Sequence, residues 1–160
     1  MSAPRIRLAG PDEDWPAIRA LVAEAFAFME GRIDPPSSIR RWTAATFAAE
    51  AAAGAGFLAE NAGALIGCIF TRTKGDALYI GKLAVRPGQR GGGVARALID
   101  AAEAEAEARG LKALTLQTRI ELVENHATFT RLGFEEVGRS AHAGYARPTS
   151  VSFRRRVGAC

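Results

Sequence analysis

The sequence predicts an α/β (α+β) fold, in which helices flank one mixed, mostly antiparallel sheet. Three observations support this prediction. The 160 residues suffice for a single domain, 1–160, with a hydrophobic core, but not for two domains of ordinary size. The composition, 48% hydrophobic and 24% charged, is typical of a globular protein. Strand-like and helix-like segments follow in the order β-α-α-β-β-β-α-β-α-β-β, which includes at least one βαβ crossover around 78–118.

The N-terminal segment predicts a strand followed by an amphipathic helix. Residues 5–9 (RIRLA) alternate between polar and apolar side chains, as a half-buried strand does. Asp12 or Asp14 then supplies a helix N-cap. Apolar residues recur at three- and four-residue spacing from Ile18 to Met29, which places one apolar stripe on the helix.

The following segment predicts a second helix and a β-hairpin. Ser37 or Ser38 is expected to cap a helix over 39–53, after a stretch that glycine and prolines keep irregular. Two apolar runs, about 56–60 and 64–73, then form strands joined by a short turn that contains glycine.

The second half predicts alternating strands and helices. The helix over about 92–109 is the clearest, because it is rich in alanine and is closed by Gly110. A shorter helix is predicted over 122–132, before Gly133. The remaining predicted strands lie at about 76–85, 111–118, 134–140 and 149–157.

Three consecutive glycines, Gly91 to Gly93, directly precede the long helix in QRGGGVARALID (89–100). A helix N-terminus has about four amide groups without intrahelical partners and carries roughly half a positive charge. Glycines let the backbone approach an anion closely, so this loop is a candidate phosphate site. The loop lacks both the P-loop pattern and the dinucleotide-binding fingerprint. The alternative is a glycine-rich turn that binds no ligand.

The segment LAVRPGQRGGGVARALI resembles the acyl-CoA signature of the GNAT superfamily of N-acetyltransferases, whose loop has the pattern Q/R-x-x-G-x-G/A. Arg90, Gly93 and Ala95 match that pattern in register. RLGF at 131–134 resembles the second motif of the family, and the first strand and helix are also similar, so the resemblance covers nearly the whole chain. It implies a central sheet of about six or seven strands, about four helices, and a central splay at the acyl-CoA site.

The resemblance implies that acetyl-CoA is the co-substrate. Leu83 and Val85 match residues whose main chain pairs with the pantetheine arm and the acetyl carbonyl, and the amides from Gly91 to Arg96 match the pyrophosphate cradle. An unpaired strand edge does present N–H and C=O groups to an amide-bearing arm, and an N–H on the thioester oxygen stabilises an oxyanion. The cofactor-binding residues implied are Leu83, Ala84, Val85, Arg90, Gly91, Gly92, Gly93, Val94, Ala95, Arg96, Asn125 and Phe129.

The chain departs from the family pattern at three positions. Leu122 occupies the place of a common asparagine, with Asn125 three residues later. Phe129 stands where the family often has a tyrosine that acts as general acid, and phenylalanine cannot donate a proton. Gly81 and Lys82 lie near the usual glutamate, and neither supplies a carboxylate.

A base is nevertheless needed, because an amine with a pKa near 10 is mostly protonated at neutral pH. The side-chain candidates for this catalytic role are Tyr79, Glu24, Glu121 and His142, and a chain of water molecules is the alternative. The structural alternatives are a half-buried strand tyrosine and solvent-exposed glutamates.

Two loops are candidates for the walls of the acceptor pocket. Residues 140–150 are too many for a hairpin turn, and in this fold the connection between the last two strands often borders the acceptor. His142 or Tyr145 is therefore expected to contact the acceptor, unless this loop only packs over the sheet. Asp34, between the first two helices, is expected to attract an amine.

Together these observations predict an N-acetyltransferase that moves acetyl from acetyl-CoA to a primary amine of a small molecule or peptide, by direct attack in a ternary complex. The alternative is a non-catalytic acyl-CoA-binding regulatory module. Nucleic acid and membrane are not expected partners, because the basic residues are scattered outside 154–156 and no apolar run is long enough to span a bilayer. The family frequently forms homodimers, so a homodimer is an open alternative to a monomer.

The two cysteines, Cys68 in an apolar run and Cys160 at the last position, are too few for a disulfide framework or a zinc cluster. We therefore expect a buried thiol, a tail thiol and no metal. The N-terminus has no apolar signal-peptide core, which predicts a cytoplasmic protein.

Overall fold

A computed structural model describes residues 3–158, which form one seven-stranded sheet with four α-helices packed on its faces. The strands, in chain order, are β1 (Arg5–Leu8), β2 (Ala55–Asn61), β3 (Ala64–Lys74), β4 (Ala77–Val85), β5 (Ala113–Arg119), β6 (Glu135–Ser140) and β7 (Ser150–Arg156). Their spatial order is β1-β2-β3-β4-β5-β7-β6, and only the β4–β5 pair is parallel. The predicted α/β class, strand number and crossover are confirmed.

The helices divide between the two faces of the sheet. They are α1 (Trp15–Ala25), α2 (Ala44–Ala53), α3 (Val94–Ala108) and α4 (Val123–Arg131). Buried side chains of α1 and α2 pack with Phe70 and Cys68 in one core, whereas α3 packs with Leu78 and Leu114 in a second core on the other face. Because both faces are covered, the central strands are buried on both sides, as their apolar sequence requires.

Helix α1 begins as the sequence suggests, and its cap is Asp14 rather than Asp12. The Asp14 carboxylate accepts a hydrogen bond from the Ala17 amide at 3.1 Å, and a proline follows in the first turn. The α-helix ends at Ala25, and the predicted apolar stripe continues to Met29 through a 3-10 turn. A carboxylate at this position satisfies an amide that the helix itself cannot pair.

The prediction of a continuous helix over 39–53 is wrong. Ser37 caps only a 3-10 turn, Ser38–Arg41, and Trp42 is extended before α2 begins. Thr43 and Thr46 form a reciprocal capping box at the true start of α2. The break has a packing reason, because it lets the Trp42 ring lie against Phe47 with 4.9 Å between ring centroids.

Strand β4 changes course at Gly81. Phe70 of β3 pairs with Lys82 and the next residue of β3 pairs with Ile80, so Gly81 is left opposite no partner, as in a β-bulge. Pairing with β5 also covers only Ala77–Ile80. Beyond the bulge β4 and β5 separate, which confirms the central splay that the family resemblance implied.

The remaining sequence expectations concern thiols and basic residues. Cys68 is a buried free thiol, as expected, and burial raises its pKa to about 12, so it is unreactive; Cys160 lies outside the described residues. Arg154 pairs with Asp76 and Arg155 with Glu103, so this basic run is partly neutralised within the fold. Within residues 3–158, no helix combines the length and hydrophobicity that a membrane span requires.

Candidate active site at the splay between β4 and β5

The loop between β4 and α3 has a backbone that glycine alone adopts readily. Gly91 and Gly93 have φ angles of 84° and 82°, in the left-handed region that other residues rarely occupy. A Cβ added at either position would meet nothing within 4 Å, so the loop faces open space. No side chain caps α3 at Gly93. The free amides of its first turn are therefore available to an external acceptor of hydrogen bonds.

The glycine loop opens onto a cleft of about 1300 Å³ that runs between the separated strands. The cleft is strongly basic, since among the described residues it is lined by one carboxylate, Glu124, and by seven cationic side chains. These are Arg40, Arg41, Lys82, Arg90, Arg96, Arg119 and Arg131. A helix N-terminus and a basic lining both favour an anionic ligand, and the cleft is large enough for an extended one.

Predicted cofactor residues lie around one end of this cleft. Leu83, Ala84 and Val85 line it, together with Arg90, Gly91 and the segment 93–96, while Gly92 lies outside the lining. The Leu83 and Val85 side chains pack against the α3 core, so their β5-facing backbone edge is what the cleft exposes. The residues present therefore fit an extended, amide-bearing diphosphate, which is the chemistry of a coenzyme A arm.

The Arg90 side chain braces the loop. Its guanidinium donates a hydrogen bond to the Ala25 carbonyl at 2.8 Å and lies 5.5 Å from the Phe28 ring centroid. These contacts tie the loop to the end of α1, so the backbone geometry of the loop is held from outside. Such bracing reduces the conformational cost of binding an anion there.

Helix α4 supplies the other wall through Asn125 and Phe129. The Asn125 amide donates to the Thr118 hydroxyl at 3.3 Å, and the Phe129 ring packs on Phe134 and Phe153. Leu122, at the family's asparagine position, is 1% exposed and belongs to the core. The uncharged polar side chains of α4 that line the cleft are Asn125 and Thr128, and Asn125 lies three residues after the family's asparagine position.

The four candidate bases fall into two groups. Tyr79 and His142 line the cleft, and burial raises the pKa of Tyr79 and lowers that of His142. The lowered pKa keeps the His142 imidazole neutral at physiological pH. Glu24 instead pairs with Arg86 at 2.9 Å, and Glu121 accepts a hydrogen bond from the Asp34 amide at 3.1 Å. Neither glutamate is part of the cleft lining.

The two predicted acceptor loops meet each other. The Tyr145 hydroxyl, in the loop between β6 and β7, donates to the Asp34 carboxylate, and Arg147 lies 3.4 Å from the same group. This contact joins the two loops, but neither Asp34 nor Tyr145 lines the cleft. The donors that Asp34 already has weaken its attraction for an external amine. His142 is the residue of the β6–β7 loop that reaches the cleft.

Lys82 is a site residue that the sequence analysis considered only as the absence of a carboxylate. It is 9% exposed, its Nζ donates to the Ser38 hydroxyl at 2.8 Å, and Nζ lies 4.4 Å from the Trp42 ring centroid. Burial lowers its pKa to about 8. The signal that could have found it is a single lysine in the otherwise apolar strand DALYIGKLAV.

We expect Lys82→Met to stabilise the protein at pH 7 by up to about 3 kcal/mol, since one pKa unit corresponds to about 1.4 kcal/mol. The folded-state pKa of about 8 lies below the ordinary lysine value of 10.5, so the unfolded chain binds more protons between these values. The stability of the native protein therefore rises with pH across this window, and the advantage of Lys82→Met shrinks. Urea unfolding at pH 7 and pH 10 measures this. An equal gain in the free energy of unfolding at pH 7 and pH 10 would contradict this prediction. The same pH-dependent gain for the exposed Lys112→Met would also contradict it.

Comparison with known proteins assigns the class. The model of the "Acetyltransferase (GNAT) family" matches residues 15–134. The chain belongs to this family, whose members are acyltransferase enzymes, and the resemblance noted in the sequence is confirmed. The glycine loop and the splayed strands lie within the matched region.

Individual relatives agree with this assignment. The IAA acetyltransferase of Azospirillum brasilense is 34% identical over 83 residues, which are 51% of this chain and only about half (54%) of that protein. Two solved structures share the fold. The ribosomal-protein-S18-alanine N-acetyltransferase of Escherichia coli has a TM-score of 0.73 and 21% identity, and the match covers 99% of this chain and 96% of that one. The PaiA N-acetyltransferase of Thermoplasma acidophilum, in complex with coenzyme A, has a TM-score of 0.79 and 14% identity, and the match covers 97% of this chain and 99% of that one.

Proposed function

We propose that this protein transfers acetyl from acetyl-CoA to a primary amine by direct attack in a ternary complex. The observation that carries the proposal is one shared cleft, which holds both an uncapped, glycine-led helix N-terminus and the unpaired edge of β4. The first feature suits a diphosphate, and the second suits the pantetheine arm and its thioester.

The donor would be held mainly by backbone groups. The amides from Gly91 to Arg96 would receive the pyrophosphate, and the edge of Leu83–Val85 would pair with the pantetheine arm, with Arg90 bracing the loop. Asn125 and Phe129 would form the opposite wall. Because backbone amides are held in place before the ligand arrives, little reorganisation is needed when charge develops on the thioester oxygen.

Proton transfer would depend on a few side chains. The amine must be neutral to attack, and the titratable candidates that line the cleft are the buried Lys82 and the half-buried Tyr79 and His142. Phe129 cannot protonate the leaving thiolate, yet a thiol with a pKa near 8.5 leaves tolerably without help. The expected consequence is a moderate rate, since general acid catalysis typically contributes about 10²–10⁴-fold.

The solved structures support the fold and leave the acceptor open. The E. coli structure is of an enzyme named for an alanine of a ribosomal protein, and the T. acidophilum structure is of a complex with coenzyme A. Both likenesses lie below 25% identity, so for this chain they support the fold, and the acceptor must come from its own cleft.

The proposal is tested by following coenzyme A thiol release from acetyl-CoA in the presence of a panel of primary amines and peptide N-termini. We expect release that depends on the amine and matches the N-acetyl product detected by mass spectrometry. Acetyl-CoA binding by calorimetry without release for any amine would refute transfer and favour the alternative, a non-catalytic acyl-CoA-binding module. Amine-independent release would indicate hydrolysis instead.

A further inference from the structure

We propose that the acceptor is an amine that also carries a carboxylate, and that Lys82 binds this carboxylate at the end of the cleft away from the glycine loop. The inference deepens the proposed function and rests on it. It begins from an ammonium group that the fold buries without a negative partner. The proposed acceptors are small amino acids and related primary amines with a free acidic group.

Burying the Lys82 ammonium without a negative partner is costly. Its Nζ has one hydrogen-bond partner, the Ser38 hydroxyl, and one aromatic neighbour, the Trp42 ring. No carboxylate of the described residues 3–158 lies within ion-pair distance of it. Lysines are almost never fully buried unless paired, because the desolvated charge is expensive. A ligand carboxylate would supply the missing counter-charge and one or two further acceptors.

The surroundings of Lys82 in the cleft are positively charged. Arg41 and Arg119 line the cleft near Lys82, and both lower its pKa through repulsion between like charges. Arg119 donates to the carbonyls of Pro35 and Pro36 rather than to a carboxylate. Such a region repels an acceptor of several positive charges and attracts one with a negative group.

The nearby acidic groups do not cancel this field. Glu124 pairs with Arg32 at 2.9 Å, and the Glu121 carboxylate, which accepts a hydrogen bond from the Asp34 amide, attracts Arg119. Glu50 attracts Lys82 without forming an ion pair with it, and lines a smaller chamber that the cationic Arg72 also lines. The basic character of the acceptor end is therefore retained next to Lys82.

The fold leaves space beside Lys82 for a small acceptor. A chamber of about 300 Å³ adjoins the cleft across Ser38, Tyr79, Gly81 and Lys82, which line both. This corresponds to roughly ten water molecules at about 30 Å³ each, enough for a group of amino-acid size. The indole of Trp42 forms one wall. A small carboxylate on Lys82 would lie beside the bulge of β4, directly before the strand edge that the thioester is proposed to occupy.

Matched pairs of amines test the inference. Thiol release is measured for alanine against alaninamide, β-alanine against β-alaninamide, and alanyl dipeptides with free or amidated C-termini, with spermidine as a polycation. We expect kcat/KM at least about 10-fold higher for the acids, the range for a hydrogen bond to a charged group. Each amide has the less basic and therefore more available amine, so this bias works against the expected result.

Variants assign the effect to Lys82. Lys82→Met is expected to bring the acid-to-amide ratio close to one, chiefly through KM, while Lys82→Arg keeps most of it because the positive charge remains. Lys112→Met, on the exposed surface, leaves the ratio unchanged. A role as proton acceptor gives a different pattern, in which Lys82→Arg loses kcat for acids and amides equally and removes the acidic limb of the pH profile, because a base works only when it is deprotonated. That pattern overturns the inference.

Failure of the inference differs from failure of the proposed function. If the amides or spermidine are acetylated with the same kcat/KM as the acids, the carboxylate site is refuted and acetyl transfer stands. The same conclusion follows if the acid-to-amide ratio persists in Lys82→Met. If no amine of the panel releases thiol, both are refuted. A folded Lys82→Met, checked by its urea transition, keeps the comparison valid.

Discussion

Gly93→Asp is expected to weaken acetyl-CoA binding about 100-fold. Gly93 is the N-terminal residue of the α3 cradle, and nothing lies within 4 Å of the Cβ that the substitution would add. A carboxylate there would occupy the space in front of the free amides and face the diphosphate. Two unit charges 4 Å apart interact with about 4 kcal/mol at an effective dielectric constant of 20, and solvent reduces this further. Isothermal titration calorimetry measures the loss.

Two controls separate charge from backbone strain. Gly93→Asn has nearly the same shape and tolerance of the left-handed conformation, so it is expected to lose much less affinity. Gly110→Asp introduces the same side chain at a residue with φ of 70° beyond the other end of α3, and should leave binding unchanged. If Gly93→Asp and Gly93→Asn bind acetyl-CoA equally, the diphosphate is not held at this helix terminus.

Phe47→Ala is expected to lower the free energy of unfolding by about 3–5 kcal/mol, the usual cost of removing a buried phenylalanine. Phe47 is 0% exposed and packs edge-on between Trp42 and Phe70, with ring centroids 4.9 and 5.2 Å away. The cavity left by its removal cannot collapse easily, because Phe70 belongs to the central strand β3. Urea unfolding at pH 7 measures the change.

The matched control is Val137→Ala on the edge strand β6, where the side chain is 59% exposed. A change within about 0.5 kcal/mol is expected there. Phe47→Ala should also loosen Trp42, and through it the contact with Lys82, so acceptor KM should rise more than acetyl-CoA affinity falls. A loss below about 1 kcal/mol would show that this aromatic cluster does not hold α2 on the sheet.

Local signals in the sequence were sufficient for most of the fold. The alternation at 5–9, the alanine-rich run before Gly110 and the glycine loop each act over a few residues, so the strand, the helix and the turn follow from local chemistry. The start of α2 could not be predicted from such local signals. Ser37 and Thr43 are both acceptable caps, and the choice depends on Trp42 packing against Phe47, a tertiary contact.

The candidate site divides in the same way. The candidate phosphate cradle could be predicted because three glycines before a helix are a local pattern with a known chemistry. The sequence could not show that Asp34, Glu24 and Glu121 already have partners, because each is engaged by a residue more than 60 positions away along the chain. Sequence alone lists such carboxylates as equally available, and only the folded chain shows which ones have partners.

By itself, the sequence determined the class of fold, the order of its elements and the candidate site for the donor phosphates, since these depend on local periodicity and on backbone freedom at glycine. The tertiary structure alone decided which face of the sheet Lys82 joins. Strict alternation along β4 would place Lys82 with Ile80, in the core beneath α3. The bulge at Gly81 reverses that alternation, because pairing with β3 skips one residue, and it turns the lysine toward Ser38 and the cleft.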